Sequence, residues 1–137
     1  RNTFLKIGKY DEKIFLYFEE TDLYKRLMNN KKKIYLYDEK IITHVGSRSI
    51  DAKYKNEFFI FRNWHYCWSK FYYYCKHDNY FVALSKTFPN LMGAFFGIIK
   101  SIFLLNFLQF RLRYAELCGL LQSYLLLKSS LRINISK

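Results

Sequence analysis

From Asn56 to His77 the chain reads NEFFIFRNWHYCWSKFYYYCKH, with no glycine or proline to interrupt it. That is too long for a single strand, and nothing in it stops a helix, so a helix is the expected form. At helical spacing Phe61, Trp64, Trp68, Phe71 and Cys75 make one stripe, while Phe58, Tyr66 and Tyr73 spread aromatic surface well beyond it. The only proline, Pro89, then opens NLMGAFFGIIKSIFLLNFLQF (90–110), an apolar run broken by Lys100 and Asn106. A leucine-rich helix over roughly 112–128 and a basic tail, KSSLRINISK, complete the expectation for residues 51–137.

The first fifty residues read differently. A mixed segment ends in IFLYF, and a helix is expected to start near Thr21, whose hydroxyl suits an N-cap. Leu23, Tyr24, Leu27 and Met28 give that helix an apolar face, and Asp22 and Arg26 are spaced for an i, i+4 ion pair. NNKKK ends it, with Asn29 or Asn30 suited to a left-handed cap. Two strands are expected next, IYLY (34–37) and IITHV (41–45), joined by the turn DEK and followed by the loop GSRS (46–49). The expectation is an α/β segment at 1–50 and a helical tail at 51–137.

Length and charge narrow the function. At 137 residues the chain is about one domain long. No apolar h-region occupies its first twenty residues, and it begins at Arg1, which leads us to expect a further N-terminal part. Cys67 and Cys75 on one helix would lie about 12 Å apart along its axis, too far for a disulfide. No C-x-x-C is present, which argues against a zinc site and for reduced thiols on the cytoplasmic side. The 23 Lys and Arg outnumber 11 Asp and Glu, for a net charge of +12. Five of those acids (Asp11, Glu12, Glu19, Glu20 and Asp22) nevertheless crowd into residues 10–23. By itself the cluster reads first as negative charge at a helix N-terminus, although three acids there exceed what the dipole needs.

The order of features adds a second reading. IGKYDEKIFLYFEETDLYKRL, the strand pair and HVGSRS resemble the pattern I-G-G-F-D-E-x-F-F-L-Y-x-E-D-x-D-L-x-x-R, two strands, then H-x-x-G-x-S. That pattern belongs to family-2 glycosyltransferases of the GT-A fold, especially rhamnosyltransferase-like members. WHYCWSKFYYYCKH (64–77) is similar to a W-H-x-x-W-S-x-F-Y-x-x-K-H stretch of some members. Lys9 stands where the pattern has its second glycine, and Glu20 where it has aspartate.

The resemblance implies the C-terminal part of an α/β GT-A catalytic domain. Such an enzyme moves a sugar, with inversion, from a nucleotide-diphosphate donor to a lipid-linked or polysaccharide acceptor in cell-envelope glycan synthesis. It implies Glu20 as the general base that activates the acceptor hydroxyl, with Glu19 and Asp22 as supporting acids. It also implies His44 as a ligand of Mg or Mn, shared with a D-x-D motif that does not occur in this chain. A hydrogen-bonded core histidine is the other reading of His44. Arg48, flanked by Ser47 and Ser49, is the implied contact for the donor diphosphate, against a plain solvated loop arginine.

The tail admits an ordinary core, a single-stranded nucleic-acid surface or a membrane interface. The first leaves the aromatic spread unexplained. The second lacks a recognisable module and is opposed by the carboxylates. Basic and aromatic helices suit an anionic membrane surface, with the chain peripheral or monotopic on the cytoplasmic face of the plasma membrane. A non-catalytic basic-aromatic module binding nucleic acid or anionic membrane is the alternative to an enzyme.

Overall fold

A computed structural model describes residues 2–35 and 51–132. In chain order its elements are α1 (Asn2–Lys6), α2 (Glu19–Asn29), a 3-10 turn at Ala52–Tyr54, α3 (Lys55–His77), α4 (Tyr80–Phe103) and α5 (Phe107–Tyr124). Helices α3, α4 and α5 pack against one another as a three-helix bundle. The links between them are short, so α4 runs back along α3 and α5 returns parallel to it. The Tyr80 hydroxyl accordingly donates to the Tyr124 carbonyl at 3.0 Å, joining the start of α4 to the end of α5.

The bundle packs bulk against small residues. Helix α3 supplies Phe61, Trp64, Trp68 and Phe71, all buried. Helix α4 meets it through Ala83, Thr87, Ala94 and Ser101, and α5 through Ala115, Gly119, Leu120 and Ser123. The hydroxyls on α4 are satisfied within their own helix, Thr87 to Ala83 O and Ser101 to Gly97 O, both at 2.7 Å. Gly119 marks the closest approach, because a Cβ there would sit 2.4 Å from the Trp64 carbonyl oxygen. No rotamer change relieves a clash with backbone.

Asparagines start two of the helices. The side chains of Asn79 and Asn106 accept from Val82 N (2.9 Å) and Gln109 N (3.0 Å), satisfying amides that have no intrahelical partner. The Asn106 cap divides the apolar run 90–110 between α4 and α5, one of the two places where its sequence is broken. Pro89 lies inside α4 rather than at its start. It and Ser85, whose carbonyl loses its donor, both lie on the exposed side.

The α/β expectation is overturned. Helix accounts for 72% of the described residues, and none of them forms a strand. Ile34 and Tyr35, the start of the first expected strand, are exposed coil. Their β-branched and aromatic character favours a strand only where neighbouring backbone can pair with it. The rest of IYLY and all of IITHV lie outside the described residues. Helix α2 also departs in detail. It begins at Glu19 rather than Thr21, Phe18 precedes it without a side-chain cap, and the left-handed residue at its end is Lys31 (φ 53°).

Two alanine substitutions test the packing. Gly119→Ala should destabilise the chain by about 1–3 kcal/mol, because overpacking at backbone forces the helices apart. Gly93→Ala, with nothing within 4 Å of the new methyl, should stabilise it by up to about 1 kcal/mol through helix propensity. Thermal melts of the two variants should therefore move in opposite directions.

Candidate functional site

The acidic stretch lies along α3 from Phe61 to His77. Tyr72 and Lys76 bond Asp11 Oδ2 at 2.9 and 2.7 Å. Ile14 is buried, Phe15 packs on Phe61 and His65, and Ser69 donates to the Leu16 carbonyl at 2.9 Å. Arg62 bonds the Tyr17 hydroxyl and lies over that ring, and Phe18 sits between Tyr66 and Tyr73. Tyr17 and Phe18 both take left-handed backbone (φ 63° and 69°), which costs an L-residue about 1–2 kcal/mol each. The aromatic contacts with α3 hold that turn, and α2 leaves directly from it.

Asp22 is the hub. Its carboxylate is fully buried. Oδ2 meets Arg26 at 2.8 Å, while Oδ1 meets Lys76 at 2.6 Å and accepts from His77 Nε2 at 2.8 Å. Burial alone would raise this carboxyl, but hydrogen bonds from Lys76, His77 and Arg26 outweigh it and hold the pKa below the usual carboxylate range. Asp11 follows the same balance: burial raises it, and Lys76, the Lys13 amide and Tyr72 bring it down. Arg26 also bonds the carbonyls of Ile7 and Lys9, the latter at 2.5 Å. It thereby fixes the turn in which Gly8 (φ 88°) and Lys9 (φ 58°) are both left-handed.

The two glutamates differ in setting. Glu20 is exposed on the first turn of α2, and Glu19 is half-buried. Glu19 Oε2 is enclosed without a hydrogen-bond partner among the described residues. Asp22 faces the opposite way, into α3. The expected supporting acid is therefore the structural anchor of the site, and Glu20 alone is open to a substrate. His44, Ser47, Arg48 and Ser49 lie outside the described residues.

The described residues do not form a metal centre. No group of three His, Cys, Asp or Glu among them is placed to hold one. The nearest approach, Asp22 with His77, already has Lys76 and Arg26 on its oxygens. Cys67 is no nucleophile, because burial pushes its thiol up to about 12. All three cysteines are free.

Lys76, His77 and Tyr72 were not among the residues singled out from the sequence, although their stretch was. Their signal was the spacing of Tyr72 and Lys76, one turn apart on a helix that ends in KH. The same stretch also grips residues 125–132, the strap that follows α5. Trp68 Nε1 donates to Leu127 O, and His65 Nε2 to Leu131 O, both at 3.1 Å. The Ser129 hydroxyl lies 3.2 Å from His65 Nδ1. Burial lowers the His65 pKa, against the opposing hydrogen bond to Leu131 O. Compared with family models, curated proteins and solved structures, the chain matches none of them.

The Asp22 cluster predicts an acid-sensitive fold. A carboxyl whose folded pKa lies below its unfolded value of about 3.9 contributes fully above that pH, and the contribution disappears as pH falls through the folded pKa. Asp22→Asn should lower stability near pH 7 by about 1–3 kcal/mol, less than for a sealed ion pair because Arg26 and Lys76 keep some solvent contact. The gap between variant and parent should close below pH 4. Melting temperatures measured from pH 7 to 3 check both the sign and the window.

Proposed function

We propose that this chain is part of an inverting glycosyltransferase working at a membrane surface, with Glu20 as the base that accepts the proton of the attacking hydroxyl. The observation that carries the reading is the turn at Tyr17–Phe18. Two strained residues, wedged by the aromatic face of α3, present Glu20 to solvent while Asp22 is locked beneath it. Backbone strain held by surrounding packing is characteristic of functional sites. The position at which the family pattern has a glycine, Lys9, adopts the left-handed conformation that glycine serves best. The resemblance covers about residues 7–49 and the stretch 64–77, and the described start of the first binds the second through Asp11 and Asp22.

In this reading the acceptor hydroxyl approaches the exposed end of α2, and Glu20 takes its proton as the bond to the anomeric carbon forms. Recognition of the nucleotide-diphosphate donor is assigned to Arg48 with Ser47 and Ser49, and to residues beyond this chain. The acceptor is a lipid-linked or polysaccharide glycan of the cell envelope. Replacing Glu20 by Gln in an enzyme that includes this chain should lower kcat by about 10²–10⁴-fold with donor KM little changed. Near-normal kcat would make Glu20 a helix-dipole acid. Glu20→Asp should retain activity.

The membrane location rests on α4. By length and composition it can cross a membrane, and only 17% of its apolar window is buried, unlike the core helix of a soluble protein. Phe81, Phe88, Phe95, Phe96, Ile99 and Phe103 are exposed along it. Lys86 and Lys100 fall on one line at the edge of that stripe, an arrangement suited to a helix lying in the interface with its ammonium groups among the headgroups. We assign the chain to the cytoplasmic face of the plasma membrane. In vesicle flotation with anionic lipid, high salt should release it only in part, since screening weakens charge contacts and leaves apolar burial intact. Complete release by salt would point instead to a purely electrostatic surface.

A further inference from the structure

A cavity of about 770 Å³ opens where α3 faces the C-terminal strap. Its walls come from three places that the stretch 64–77 clasps together. Residues Glu12 and Lys13 precede α2, Trp68, Tyr72 and Lys76 belong to α3, and Lys128 and Arg132 belong to the strap. Four cations thus face one acid. Lys76 is engaged by Asp11 and Asp22, whereas the side chains of Lys13 and Lys128 make no ion pair with any described residue. Arg132 rests over the Phe15 ring at 4.2 Å and bonds the carbonyls of Ser129 and Leu131, which hold its guanidinium at the wall.

Apart from Ser123 and Ser129, the rest of the wall is aromatic or apolar. Trp68 and Tyr72 stack with ring centroids 5.1 Å apart, making a flat surface beside the cations. Leu126 and Leu127 line the cavity yet remain exposed, and Leu126 takes left-handed backbone (φ 56°), a conformation disfavoured for leucine. A soluble anion gives exposed leucines no partner. An anionic head carrying an alkyl chain does: its phosphate meets the lysines and arginine, and its chain continues over the leucines.

We infer that this cavity binds the phosphate headgroup of a membrane lipid. The inference stands on this geometry alone, and its test reads binding rather than turnover, so it succeeds or fails independently of sugar transfer.

The test uses the full 137-residue chain in neutral-detergent micelles and follows the fluorescence of its two tryptophans, of which Trp68 lines the cavity. Micelles doped with phosphatidic acid should give a saturable change. Lys128→Gln with Arg132→Gln should weaken that binding about tenfold or more, since each charge-assisted contact is worth roughly that factor. Circular dichroism should show an unchanged melt. If the double variant unfolds, Lys13→Gln on the opposite wall carries the test, with a smaller loss expected. Oleate, anionic without phosphate, should bind at least tenfold more weakly than phosphatidic acid, and so should soluble diphosphate. Equal binding of oleate would overturn phosphate recognition, and equal or tighter binding of diphosphate would overturn the lipid source. Unchanged affinity in folded variants would remove the cavity as the site.

Discussion

The buried carboxylate of Asp22 is the constraint on which the candidate site depends. A fully enclosed carboxylate is tolerated only with cations and donors on both oxygens. Here they come from two elements far apart in sequence: Arg26 one turn along α2, and Lys76 with His77 at the end of α3. The start of α2 cannot leave α3 without exposing that network or stranding a charge. Through Arg26 the same carboxylate reaches the carbonyls of Ile7 and Lys9, so one side chain couples the N-terminal turn, α2 and α3.

Helix α3 is consequently a platform more than a tail. Its inner stripe of Phe61, Trp64, Trp68 and Phe71 fills the bundle against small residues of α4 and α5. Its remaining faces hold the acidic stretch on one side and the strap on the other, and the polar groups of residues 64–77 do most of this work. Ser69, Tyr72, Lys76 and His77 bind the first segment; His65 and Trp68 bind the second. That accounts for aromatic residues spread around a helix whose bundle contact needs only one stripe.

The exposed phenylalanines run along α4 and continue into Leu104, Leu105 and Phe107 at its junction with α5. Asp11 and Asp22 are held against α3, where Lys76 and Arg26 neutralise them. Much of the excess positive charge is therefore left unopposed elsewhere, a distribution suited to an anionic surface.

The sequence by itself determined the local events. The unbroken aromatic run is α3 within a residue of its expected ends, and the Asp22–Arg26 pair is present as its spacing required. Cys67 and Cys75 share α3 and are not bonded to each other, as their spacing along one helix dictated. These features depend on residues within a few turns of one another. Only the tertiary structure decided the rest. Whether Ile34 and Tyr35 pair as a strand depends on a partner backbone, which propensity does not supply. Pro89 stays inside α4 because it falls on the exposed side, and Asn106 ends the apolar run by capping a new helix. Asp22 changed from a helix-start acid to the centre of the site because Lys76 and His77, more than fifty residues away, close over it. Periodicity places a side chain on a face of its own helix, but packing alone determines what that face meets.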